Sequence, residues 1–248
     1  MDFNLSEEQQ MLRTGARDFL TAEWTGAMVR ELEDKTGHSP GLWRKMADLG
    51  WVGLALPVEY GGSGASFLEL TILLEEMGRA LVPSSFFSTV VLGALTILNL
   101  GNEEQRLCFL PPIARGEQLW TLALGEPPEG EFDHIRTVAR GNGKTRLVNG
   151  TKTFVPDADV ANYLICVAGT SEEGGRVFPV IDRTSMGLMV TWLPTMAGDR
   201  QFEVILGRVA VTGDSLLGGE RTTADVERLV QQAAVAKSAE MVGGCQRA

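Results

Sequence analysis

The chain has 248 residues, enough to bury a substantial core in one large domain or two smaller ones. Hydrophobic residues make up 44% and charged residues 22%, a balance too apolar for a disordered chain. The net charge of -10 argues against a nucleic-acid partner, because Lys and Arg are spread too thinly to neutralise phosphates.

The opening stretch "MDFNLSEEQQ" has neither the basic nor the apolar region of a secretory signal. The most apolar run, 86–100, is shorter than the roughly 20 residues that span a bilayer, and Ser88, Thr89, Gly93 and Asn99 interrupt it. A cytoplasmic protein with no membrane partner is expected. Cys108, Cys166 and Cys245 are odd in number and far apart, so free thiols are expected rather than disulfides. His38 and His134 are the only histidines, and neither stands at metal-ligand spacing from a cysteine or from the other. No metal is therefore expected. The absence of a GxSxG elbow also leaves serine-hydrolase chemistry without support.

Helix punctuation fills the first part of the chain. Ser6 and Gln9 have capping-box spacing, and Met11, Leu12, Gly15, Ala16, Phe19 and Leu20 follow near helical period. Ser39-Pro40 opens a second helix, which places Leu42, Trp43, Met46 and Leu49 on one face before Gly50. The loop "LPVEYGGSGAS" leads to Ser66 and Glu69, a second capping box, on a helix apolar nearly all round, as expected inside a bundle. An apolar helix runs from Pro83 toward Gly101. Another begins at Asn102 with Gln105 and ends within "LPPIARG".

Past Gly116 the rhythm changes to short β-like runs parted by turn residues: "QLWTLAL", "IRTVARGNGKTRLVNGTKTFV", "YLICVAG", "RVFPVID", "GLMVTWL" and "FEVILGRVAV". Gly141-Asn142-Gly143 is a hairpin signal. The series suggests a small antiparallel barrel or sandwich, and no GxGxxG follows any strand to support a Rossmann site. The final stretch returns to helix-forming residues, with Val226, Leu229, Val230, Ala233, Ala234, Met241 and Val242 as an apolar stripe that must face something.

"LPVEYGGSG", "LLEEMGRAL", "ALGEPPEG", "LVNGTKTFVPDADVAN" and "AEMVGGCQRA", in this order, resemble the acyl-CoA dehydrogenase family over nearly the whole chain. The resemblance implies an α+β fold. An N-terminal α-helical bundle (1–116) is followed by a small antiparallel β-barrel (117–219) and by the first helix (220–248) of a C-terminal helical bundle. It also implies a tetramer holding FAD at subunit contacts, and a role in fatty acid and lipid metabolism. The reaction it implies is α,β-dehydrogenation of an acyl-CoA thioester, with a carboxylate taking the α-proton and flavin taking hydride. Electron-transfer flavoprotein is the implied electron acceptor.

Carried over residue by residue, the resemblance implies cofactor contacts at Leu122, Leu124, Gly125, Glu126, Phe154, Val155 and Pro156, and substrate contacts at Glu131 and Gln231. Three positions depart from the family pattern. Gly125 stands where a hydroxyl is expected, Glu131 falls at a serine position, and Pro156 replaces a threonine and has no N–H to donate. Phe154 can still cover a flavin ring by stacking. The catalytic carboxylate is unassigned, because Ala233 occupies the alternative base position on the last helix, while Glu227 and Glu240 lie at other registers and read as a solvated face. Ala234 stands where a substrate-contacting arginine is usual. Two readings follow. One is a dehydrogenase whose C-terminal catalytic part is missing from this chain. The other is a non-catalytic partner subunit of a hetero-oligomer, with weakened or absent FAD binding. A fold used only for interaction is disfavoured, because the apolar stripe of the last helix would lie exposed.

Overall fold

Side chains that take over the unpaired amides of a first turn set where the helices begin. The computed structural model of the protein describes residues 4–24, 37–82, 84–127, 135–141, 145–170, 175–196 and 198–248. In α1 (Glu7–Glu23), Ser6 Oγ accepts from the Gln9 amide at 3.2 Å and Gln9 Oε1 accepts from the Ser6 amide at 3.0 Å. Ser39 caps α2 (Pro40–Asp48), with Pro40 in the first helical position, and Ser66 with Glu69 repeats the reciprocal box on α3 (Phe67–Ala80). A wide π-helical segment, Phe87–Ala94, runs into α4 (Leu95–Leu100). Asn102 and Gln105 start α5 (Glu103–Ala114), which passes through Pro111 and Pro112 before it ends. As its sequence predicts, α3 is surrounded: Leu70, Ile72, Leu73, Leu74 and Met77 are all buried.

The strands form two sheets. One runs in the order β1 (Trp120–Ala123), β4 (Tyr163–Cys166), β7 (Val180–Asp182). The other runs β6 (Arg176–Val177), β5 (Ala168–Gly169), β2 (Val138–Arg140), β3 (Thr145–Pro156), β9 (Gln201–Thr212), β8 (Leu188–Leu193). The α+β class and the element order match the expectation, but the β part differs from an antiparallel barrel. β1 pairs with β4 in parallel, β2 pairs with β5 in parallel, and among the described residues the two sheets do not close into one. The cause lies at Val167–Gly169, where amides two residues apart serve different sheets. Val167 N donates to Ala123 O at 3.0 Å, whereas Gly169 N donates to Thr137 O at 2.8 Å, so one extended run turns a corner between the layers. Asn142 and Gly143 of the hairpin signal lie outside the described residues.

Trp120, fully buried, joins the helices to the sheets. Its ring packs 5.2 Å from Phe109 and 4.7 Å from Tyr163, and its amide donates to Thr89 Oγ1 of the π-helical segment at 3.1 Å. A second tie is ionic. Lys152 Nζ, with no exposed surface, donates to Glu126 Oε1 at 2.6 Å and to Leu124 O at 3.1 Å. Glu126 also accepts from the Arg136 amide at 2.6 Å and the Thr137 amide at 3.0 Å. Burial alone would raise this carboxyl, but the Lys152 charge and the surrounding donors outweigh it and hold the carboxyl below the usual range.

The last helix, α6 (Thr223–Arg247), lies against α3 and buries Val226, Leu229, Ala236 and Gly243, a stripe at helical spacing. The two backbones touch at glycines. A Cβ on Gly78 would fall 1.9 Å from Glu240 O, and one on Gly243 would fall 1.8 Å from Glu75 O. No helix is long and apolar enough to cross a membrane among the described residues.

Two stability measurements check these ties. Gly243→Val is expected to lower the unfolding free energy by about 3 kcal/mol, since neither backbone can move aside without unpacking. Gly15→Ala on open α1 surface should change it by less than about 1 kcal/mol, in the stabilising direction. Lys152→Met should cost about 3–5 kcal/mol near neutral pH by leaving the Glu126 charge buried and unpaired. Because the folded carboxyl is held low, the wild type's advantage should be complete above the ordinary carboxylate range and shrink as pH falls through the lowered value. Urea unfolding across pH measures both.

Candidate functional site

The two segments expected to line a cofactor lie side by side. Thr153 N donates to Gly125 O at 2.9 Å, and Lys152 holds Leu124 O from below. Gly125 has a packing reason of its own, because a Cβ there would meet Thr153 O at 2.9 Å. Between Lys152 and Val155, β3 carries one residue more than β9, a bulge that turns Phe154 outward. Phe154 has φ +53° and is 53% exposed, an unusual backbone for a bulky residue and one that leaves it open at the rim.

The remaining predicted residues fall in different places. Leu122 and Val155 are buried in the two cores. The Glu126 carboxylate points inward and is fully engaged by Lys152 and two amides, so its side chain faces no open site. Pro156 lines a cavity and its carbonyl accepts from Thr121 Oγ1 at 2.7 Å. Gln231 and Glu227 are exposed on α6, Ala233 is half-buried against the helical core, and Ala234 is exposed. Glu131 lies outside the described residues. A planar cofactor would therefore find an aromatic face at Phe154 and a wall of backbone at Leu124 and Gly125, with no donor at Pro156. The fit is one of shape and stacking rather than side-chain hydrogen bonds.

The cavity has a volume of about 280 Å³ and lies where three parts of the chain meet. Val82 follows α3, Phe87 and Ser88 belong to the π-helical segment, Pro156 and Asp157 lie at and just past the end of β3, and Lys237 and Glu240 come from α6. Trp192 and Arg200, beside the turn between β8 and β9, close the remaining side. Glu240, which the sequence pattern assigns to a solvated face, instead lines this cavity in an ion pair with Lys237. Lys237 Nζ also sits 4.0 Å from the centroid of the Phe87 ring, and Arg200 pairs with Asp159.

Asp157 is the residue that sequence reasoning passed over. It follows Pro156 with φ +54°, a conformation that aspartate tolerates, and Ser88 Oγ donates to its Oδ2 at 2.5 Å. Burial pushes its carboxyl up to about 6, opposed by the Ser88 hydrogen bond and by the charges of Arg200 and Lys237, while Asp159 adds to the rise. An Asp at a strand end reads as turn chemistry in sequence, and only the approach of Ser88 and α6 makes it a cavity group. Nearby, His38 Nδ1 lies 3.2 Å from Ser85 Oγ, and burial lowers the imidazole from its ordinary value. No cluster of three or more metal-ligating side chains occurs among the described residues.

Comparison with known proteins accords with this architecture. Residues 6–117 match the family model described as acyl-CoA dehydrogenase, N-terminal domain. The chain is 33% identical over 229 residues to a probable acyl-CoA dehydrogenase, YngJ, of Bacillus subtilis (strain 168), covering 88% of this chain and 60% of that protein. Among solved structures, the ChsE4-ChsE5 complex from Mycobacterium tuberculosis superposes with a TM-score of 0.89 at 26% identity, covering 100% of this chain and 66% of that one. An acyl-CoA dehydrogenase complexed with FAD from Bacillus anthracis superposes at 0.88 with 25% identity, covering 98% and 44%. The chain spans about 60% of the length of the curated relatives it matches. On the family model, the relatives and the shared fold together, the chain belongs to the acyl-CoA dehydrogenase family.

Proposed function

We propose that this chain forms the cofactor rim and acyl pocket of an FAD-dependent acyl-CoA dehydrogenase. One observation carries the reading. The Gly125–Thr153 hydrogen bond and the Lys152 contacts align segments 122–126 and 152–156, leaving Phe154 open at the rim and Pro156 in the wall of a cavity. FAD, when bound, supplies the two-electron acceptor for α,β-dehydrogenation. Phe154 would cover its ring system, and the backbone at Leu124 and Gly125 would fix its edge. The cavity would take the acyl group, with Val82, Phe87 and Trp192 excluding water from it. The proton acceptor is proposed to come from outside these 248 residues, since α6 carries Ala233 at the alternative position. A cytoplasmic oligomer that passes electrons to electron-transfer flavoprotein completes this reading.

The second reading, a partner subunit that completes a hetero-oligomer, draws support from Pro156, which can donate nothing, and from the two-protein complex among the solved relatives. It predicts that FAD is held poorly by this chain alone.

Titration of the purified chain with FAD, followed by flavin fluorescence and visible absorption, tests the choice. The dehydrogenase reading expects saturable binding that Phe154→Ala weakens about tenfold, the scale of a lost aromatic contact together with its buried area. A folded chain that never takes up flavin overturns this reading in favour of the partner subunit.

A further inference from the structure

Three carboxylates line the cavity, and two of them have their partners within the protein. Glu240 is paired with Lys237, and Asp199 accepts from Gln201 Nε2 at 2.7 Å and from Thr195 Oγ1 at 2.5 Å. Asp157 differs. Its Oδ2 accepts from Ser88, while its Oδ1 receives no hydrogen bond from the described residues. Neither nearby cation is spare, because Arg200 holds Asp159 and Lys237 holds Glu240 above the Phe87 ring. A purely alkyl group filling this space would strip water from an open carboxylate oxygen and return nothing, a loss that a donor on the ligand would reverse. An ammonium would give up far more hydration than a hydroxyl on entering this space. A neutral O–H satisfies the oxygen at a smaller desolvation cost.

Resting on the acyl-pocket reading above, we propose that the cavity selects an acyl group bearing a hydroxyl, which donates its hydrogen bond to Asp157. The volume of about 280 Å³ confines the group to a short chain rather than a long fatty tail. The groups facing Asp157 are Asp159 on its own turn, Asp199 and Arg200 beside β9, and Lys237 and Glu240 on α6, with Ser88 and then His38 on the helical side. Of these, the Asp157 carboxyl is the one pushed up to about 6, so its acceptor strength falls as pH drops through that value.

The test needs neither flavin nor turnover. N-(2-acetamidoethyl)hexanamide, an unreactive mimic of a hexanoyl thioester, and its 4-, 5- and 6-hydroxy derivatives are titrated into the full chain by calorimetry. At least one hydroxy derivative is expected to bind about tenfold tighter than the parent at pH 7.5. That preference should shrink at pH 5 in the wild type and vanish in Asp157→Ala, with near-UV circular dichroism showing that the variant is folded. Equal binding of all four compounds, or a preference that persists at pH 5 and in folded Asp157→Ala, overturns the proposal and leaves the acyl pocket standing. If none of the compounds binds, the acyl-pocket reading falls and the proposal with it. The pH comparison uses unmodified protein, so a variant that fails to fold does not remove the test.

Discussion

A single buried ion pair organises the rim of this fold. Lys152 has no exposed surface, and an ammonium carried into such a place must find a carboxylate and enough acceptors to replace its water. It finds Glu126 and the Leu124 carbonyl, and Glu126 in turn gathers the Arg136 and Thr137 amides. The pair thereby fixes three pieces of chain at once: the exit from β1, the approach to β2 and the start of the β3 bulge. A buried pair of this kind adds little net stability over apolar residues of the same shape, but it admits few alternative arrangements, which suits a position where register matters. The outward turn of Phe154 and the entry of Pro156 and Asp157 into the cavity both follow from that register.

The third wall of the cavity depends on a different constraint. α6 can bring Lys237 and Glu240 to the cavity only because Gly78 and Gly243 let two helical backbones touch. Glycine inside a helix costs about 1 kcal/mol relative to alanine, and close packing along the Val226, Leu229 and Ala236 stripe offsets it. The contact uses the small residues of α6 and leaves Val235, Met241 and Val242 half or more exposed on another face.

Much of this was readable from the chain. Capping boxes are local, so Ser6, Ser66 and Asn102 announced their helices without help from tertiary structure. The order of helices, strands and a last helix was equally plain from periodicity. The sheet arrangement was not, because the choice between one barrel and two sheets turns on which partner each amide of Val167 and Gly169 takes, and that is decided by residues distant in sequence. The same applies to the site. Gly125 reads as a missing hydroxyl, yet the structure shows it making room for Thr153 O. Glu240 reads as a solvated residue, yet the glycine contact turns it into the cavity. Asp157 carries no signal at all until Ser88 is placed beside it.

If Glu126 and Lys152 truly act as a unit, their effects on stability must not be independent. A double-mutant cycle with Glu126→Gln and Lys152→Met, read by urea unfolding at neutral pH, measures this directly. The account predicts a coupling of about 2 kcal/mol or more, with the double variant more stable than Lys152→Met alone because no unpaired charge is left buried. Additive losses, with coupling near zero, would contradict it.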